Sequence, residues 1–278
     1  MFTTRVGRVD LTIADLARSV AFYETQIGLR VQGRDAGVVR LGVGSADLLA
    51  LHESPSAAHV SGTTGLYHFA ILVPSRADLA SALRRLVETN TSMQGAADHG
   101  VSEALYLADP DGNGIEIYRD RPREEWPLVG GQLEMGSEPL DVAALLNSLP
   151  PHDAGAPDED RMPGGTIVGH VHLHVAHLNQ TEQFYAELLG FDVQQRWGRA
   201  ALFVSYDGYH HHVGLNTWKG VGAPPPPAGA IGLRQFELRV DDLAAITNRL
   251  NDAKVAFTRA AAGVLVADPS GNHILLVS

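Results

Sequence analysis

Apolar and polar residues alternate singly at four places along the chain, and apolar residues at helical spacing follow each time. In the third stretch Val171, Leu173 and Val175 oppose His170, His172 and His174, the period of two that turns one face of a strand toward a core. Phe184, Tyr185, Leu188 and Leu189 then mark the stripe of an amphipathic helix. The stretches repeat: residues 7–29 align without a gap to residues 169–191, and residues 65–86 match residues 232–250. The second and fourth stretches close on Asp-Pro-x-Gly-Asn sequences at 109–113 and 268–272, which predict turns between strands.

Four βαβββ modules are therefore expected: A (1–55), B (65–120), A′ (168–218) and B′ (231–278). They group by sequence into an N-terminal domain, 1–120, and a C-terminal domain, 166–278, of α+β class. One such module leaves a face of its strands bare, so modules must pair. Residues 121–165 break the pattern. Within them 138–149 predicts a short helix, and 150–165 reads as a polar linker. The run Pro224–Pro227 is a stiff connector between A′ and B′.

Composition narrows the function classes. An apolar fraction of 45% and a charged fraction of 19% over 278 residues describe an ordinary globular chain. A formal charge of −11 argues against nucleic acid or an anionic membrane surface as partner. With no cysteine, disulfides, thiolate metal sites and a cysteine nucleophile are excluded, and a reducing cytoplasm is the expected location. No apolar run approaches the ~20 residues of a membrane span, and the first residues lack a signal-peptide core. Thirteen histidines point instead to imidazole and carboxylate chemistry.

On the opening strands the inward position is Arg8 in A, His68 in B, His170 in A′ and Gln235 in B′; on the closing strands of B and B′ it is Glu116 and Leu275. A single strand histidine is usually structural, and one glutamate after a glycine-rich turn is usually a surface residue. Two histidines and a carboxylate at repeat-equivalent positions are harder to assign to packing, and such a set holds one face of an Fe(II) octahedron. At the end of A′, the run 210–212 is all histidine. Val213 and Leu215 are apolar, so alternation predicts that His212 faces the opposite side.

The segments GHVHLHV, HHHVGLNTW, GLYHFAILV and DHGVSEALYLADPDGNGIEIY, with the Phe-Tyr helices, resemble the vicinal oxygen chelate superfamily. Within it they are similar to two-domain extradiol, catechol 2,3-dioxygenase-type enzymes. The resemblance implies two vicinal-oxygen-chelate barrels and a metal held by His68, Glu116 and His170. It also implies a catalytic acid-base histidine in the pair His211-His212, assigned to His212, with His99 and Tyr106 as the further catalytic pair. The implied cofactor is Fe(II), with Mn(II) as the alternative; the implied partners are a small aromatic diol and O2. A homo-oligomer is compatible with the sequence.

Neither half carries a full ligand set, because A has Arg8 and B′ has Gln235 and Leu275. B and A′ together do, so B is expected to pair with A′ around the metal and A with B′ around an empty barrel. His172 is expected to line the pocket, and Trp218 and Tyr209 to shape it or pack in the core. Two rival functions use the same fold. A metal-dependent glyoxalase or isomerase would draw on Gln235 and Glu237 in the other barrel, and a non-catalytic small-molecule-binding protein would need no metal.

Overall fold

The computed structural model describes residues 5–149 and 161–278. Module A runs β1 (Val6–Ile13), α1 (Leu16–Phe22), β2 (Arg30–Asp35), β3 (Val38–Val43) and β4 (Ala46–Glu53). Module B follows with β5 (Gly65–Leu72), α2 (Arg76–Glu88), β6 (Met93–Asp98), β7 (Ser102–Ala108) and β8 (Gly114–Asp120). A connecting stretch holds β9 (Leu128–Val129), β10 (Gln132–Leu133), β11 (Glu138–Pro139) and α3 (Val142–Leu146). Module A′ has β12 (Ile167–His174), α4 (Leu178–Glu182), β13 (Asp192–Trp197), β14 (Ala201–Ser205) and β15 (Val213–Asn216). Module B′ has β16 (Gly232–Arg239), α5 (Leu243–Asp252), β17 (Phe257–Ala260), β18 (Gly263–Ala267) and β19 (His273–Val277).

Helix starts are set locally. The side chains of Asp15, Ser75 and Asp242 accept from the backbone N–H three residues on, satisfying a donor the helix leaves orphaned. In A and A′ the helix widens into a π turn, Tyr23–Ile27 and Gln183–Leu188. This turns Tyr23 and Tyr185 into the core, where their hydroxyls donate to Asp109 at 2.9 Å and Asp268 at 3.5 Å. Those aspartates are the first residues of the predicted turns, and each also accepts from backbone N–H groups of its own turn. Each half is thus stitched internally, helix of one module to turn of the next.

The sheets cross the halves. One has the order β17-β18-β19-β16-β1-β4-β3-β2, combining B′ with A. The other runs β11-β6-β7-β8-β5-β12-β15-β14-β13, combining B with A′. Both are curled, mixed sheets with the antiparallel pairs β1–β16 and β5–β12 at their seams, an α+β architecture of two half-barrels. The pairing of B with A′, which the complementary ligand sets predict, is present in the strand order.

Strand alternation divides the seam residues. Val9, Leu11, Phe69, Ile71, Val171, Leu173, Phe236 and Leu238 enter one continuous core with Tyr23 and Tyr185. Each such side chain, fully buried, contributes about 1.5–3 kcal/mol. The alternate residues, His68, His170 and His172 in one sheet and Arg8 and Asp10 in the other, stand on the opposite face.

Residues 121–149 do more than connect. β11 adds an edge strand to β6, and Met135 exchanges backbone hydrogen bonds with the Gln195 side chain. Trp197 Nε1 donates to the Met135 carbonyl at 3.2 Å. The stretch is a strap fastened at both edges of the B–A′ sheet. The expected short helix is present as α3, five residues long. Residues 150–160, most of the expected polar linker, lie outside the described residues.

Candidate metal centre

His68 stands on β5, Glu116 on β8 and His170 on β12, three neighbours in the sheet. Register puts them at one level: Ala70 of β5 pairs with Glu116 on one side and with His170 on the other. Glu116 Oε2 lies 3.0 Å from His68 Nε2 and 3.2 Å from His170 Nε2. All three residues are buried. Among the described residues this is the one set of three whose ligand atoms fall within 4.8 Å of one another.

The fit to a divalent cation can be judged from these distances. Ligands on adjacent corners of an octahedron with bonds of about 2.1 Å stand about 3.0 Å apart, close to the spacing of Glu116 from each imidazole. His68 Nε2 is unpaired in hydrogen-bond geometry although Glu116 Oε2 lies 3.0 Å away. Buried polar atoms rarely stay unpaired, and a nitrogen lone pair aimed at a metal is one resolution. Burial lowers the His170 pKa to about 4, against the opposing pull of Glu116. Burial also opposes ionisation of Glu116, but the charge and hydrogen bond of His170, with help from His68, hold its carboxyl well below the usual range. Neutral imidazole and ionised carboxylate are the ligand forms of both groups.

Glycine is required beside the site. A Cβ on Gly169 would lie 1.8 Å from the Tyr118 hydroxyl, so Tyr118 packs against the backbone just before His170. Its ring centre is 4.8 Å from that of His170.

His68 and Glu116 line a cavity of about 290 Å³ whose wall also includes Tyr67, His172, Trp197, Phe203, His211 and Trp218. Tyr106 and His99 also line it, joined by a 2.7 Å contact between Tyr106 Oη and His99 Nε2. The other nitrogen, His99 Nδ1, is 2.8 Å from the Gly136 carbonyl. A carbonyl only accepts, so His99 carries its proton on Nδ1 and takes the Tyr106 O–H on Nε2. His172 lines the cavity with Nε2 unpartnered. Trp218 is on the wall, whereas Tyr209 packs with Trp126 and Met135 in a separate cluster.

His212 does not reach this cavity. Its Nδ1 accepts the Tyr206 backbone N–H at 3.2 Å, and it borders a different cavity with Arg5 and Asp120. The alternation argument fails because β15 begins only at Val213; His211 and His212 sit in the bend before it. His211 is the histidine of the pair that lines the triad's cavity, its ring centre 4.1 Å from that of His170. Met135, Gly136 and Ser137 of the strap also line it, in a stretch without strand or helix periodicity to signal a role.

The equivalent place in the A–B′ sheet is filled differently. Arg8 pairs with Asp10 at 2.6 Å and with Glu237 at 3.5 Å, and Asp10 also takes Gln235 Nε2 at 3.3 Å. A guanidinium stands among the groups that a glyoxalase-type site there would have needed.

Paired βαβββ modules curled around two histidines and a glutamate define a metal-site fold of the glyoxalase and dioxygenase type. Sequence comparison agrees: the Glyoxalase/Bleomycin resistance protein/Dioxygenase superfamily profile matches residues 5–117 and 167–276, and the chain belongs to that superfamily. It is 42% identical to catechol-2,3-dioxygenase of Bacillus subtilis (strain 168) over 283 aligned residues, 99% of this chain and 97% of that one. It is also 33% identical over 73 residues to biphenyl-2,3-diol 1,2-dioxygenase 3 of Rhodococcus globerulus, 25% of this chain and 38% of that one. Glyoxalase I from Zea mays shares the fold, with a TM-score of 0.61 at 15% identity over 99% of this chain and 92% of that chain.

Proposed function

We propose that the chain is an Fe(II)-dependent extradiol dioxygenase that cleaves the ring of a catechol or substituted catechol beside its diol. Both atoms of O2 enter the product, a 2-hydroxymuconic semialdehyde. The observation that carries this reading is the His68–Glu116–His170 set, of which His68 and Glu116 line an aromatic-walled cavity, in a chain 42% identical to a catechol-2,3-dioxygenase.

His68, Glu116 and His170 would hold the ion. Bound there, Fe(II) supplies a Lewis acid and an open coordination face for the diol and O2. The protein residues divide the remaining work. Trp197, Phe203 and Trp218 line the wall against which the ring would pack. His211 takes the role first assigned to His212: its Nδ1 is engaged by His210 at 2.8 Å, which leaves Nε2 to accept a diol proton and return it later. Burial holds the His211 pKa well below its ordinary value, so it begins neutral. Tyr106, whose hydroxyl contacts His99 and Glu116, stands on the cavity wall where its oxygen can meet the bound diol.

Purified protein reconstituted with ferrous iron is expected to consume O2 with catechol and develop the yellow ring-fission product. His211→Ala should retain iron and lose turnover by about 100-fold or more, the usual scale for a general base, while His212→Ala keeps turnover. Iron-loaded protein that consumes no O2 with any catechol would overturn the reading. Tight nickel or zinc retention with isomerase activity would transfer it to the glyoxalase class.

A further inference from the structure

The inner face of β8 carries more than a metal ligand. Glu116, Tyr118 and Asp120 alternate onto the same side of the strand and step along the curl of the sheet. Asp120 lines a second cavity that shares no lining residue with the first. Between the two cavities lies His210, fully buried beside Tyr118, Tyr209 and Trp126. His210 Nε2 is 2.9 Å from Asp120 Oδ1, and His210 Nδ1 is 2.8 Å from His211 Nδ1. An unbroken chain of polar contacts thus joins the carboxylate of one cavity to the imidazole of the other.

Elementary donor and acceptor rules fix its direction. The Asp120 carboxylate can only accept, and it also accepts the Tyr209 hydroxyl at 3.0 Å. His210 must therefore place a proton on Nε2. A neutral His210 with its proton on Nε2 offers only a lone pair at Nδ1. That lone pair requires the proton of the 2.8 Å contact to sit on His211 Nδ1. His211 is left with a bare Nε2, the atom free for the diol.

We infer that Asp120 and His210 are positioning residues that lock His211 in the tautomer whose Nε2 accepts a proton in the substrate cavity. This rests on the reading of His211 as the base. The logic is that of a catalytic triad, in which a buried aspartate selects the histidine tautomer, with a second imidazole interposed. Asp120 touches no substrate; it acts through two rings. Tyr209 serves the same carboxylate, and Tyr118, 2.8 Å away, donates in turn to the Tyr209 oxygen, so Asp120 is held while His210 leans on it.

The test is a pair of measurements on the full chain with 15N-labelled histidine. In the Zn(II)-loaded, diamagnetic protein, long-range 1H–15N spectra should show His211 protonated on Nδ1 alone. Asp120→Asn keeps one acceptor oxygen, which the Tyr209 hydroxyl claims, and turns its amide N–H toward His210, so His210 should reverse and His211 should move its proton to Nε2. In the Fe(II)-loaded protein the same variant should lose about 10- to 100-fold in kcat, the scale typical of a lost supporting partner, at unchanged KM and iron content. Asp120→Glu, which keeps an acceptor, should restore both the tautomer and part of kcat. A wild-type His211 already protonated on Nε2, or an Asp120→Asn protein with unchanged tautomer and kcat, would overturn the inference. Failure of the base reading registers separately, as a His211→Ala enzyme that still turns over.

Discussion

Glu116→Gln is expected to yield a folded protein that no longer retains metal and has no measurable ring cleavage. The glutamate is the pivot of the site: both imidazole nitrogens lie within 3.2 Å of its Oε2. A neutral amide offers neither the charge that holds a dication nor a second lone-pair-rich oxygen. Partners outside the ligand set are worth 10–100-fold in metal affinity, and loss of the one charged ligand should exceed that. Calorimetry separates this effect from misfolding. Saturating metal at about 100 times its Kd adds about 2.7 kcal/mol of stability through mass action, visible as a rise in Tm of the wild type. The variant should show the wild-type metal-free Tm and no rise. Stoichiometric metal retained by Glu116→Gln after gel filtration would show that the site lies elsewhere.

The second large effect is on acid stability. His170 and His174 have pKa values lowered to about 4, and His212 to about 3, all by burial. His172 and His211 are pushed down in the same direction for the same reason. In the unfolded chain each titrates near the ordinary 6.5. Between pH 6.5 and about 4 the unfolded state therefore binds protons that the folded state refuses, and stability falls as pH drops through that window. At pH 5 a histidine shifted from 6.5 to about 4 contributes a loss of about 2 kcal/mol. Several acting together should remove most of a typical margin of 5–15 kcal/mol. Glu116, Asp10, Asp98 and Glu103 have lowered values too, and their losses come later, below about pH 4. Urea titrations of metal-free protein at pH 7, 6 and 5 check this; equal unfolding free energies at pH 7 and 5 would refute it.

Much of the fold is legible because duplication repeats the signal. One alternating strand with a following helix is ambiguous, whereas four in register with two Asp-Pro-x-Gly-Asn turns are not. The cross-half pairing is legible for a different reason: only B and A′ hold complementary ligands, and chemistry supplies the long-range constraint that local periodicity lacks. Periodicity fails where the chain leaves regular structure. The turn from Tyr209 to His212 precedes β15, so the face opposite Val213, where alternation puts His212, is not the one that reaches the cavity; His211 lines it. The strap fails in another way. Met135 and Gly136 act through backbone carbonyls toward Trp197 and His99, and a carbonyl leaves no mark on the residue type.

Arg8 has a consequence for how the duplicated protein keeps its books of charge. Its guanidinium, bound to Asp10 and Glu237, supplies from within the chain the positive charge that, on the proposed reading, a cation brings to the sister sheet. On the proposed reading the A–B′ half-barrel carries its own countercharge, whereas the B–A′ half-barrel would take its countercharge from a bound cation. A fully loaded sample should count one metal per chain despite the twofold repeat. Two otherwise similar sheets would then mature on different schedules, one set by folding and the other by metal supply.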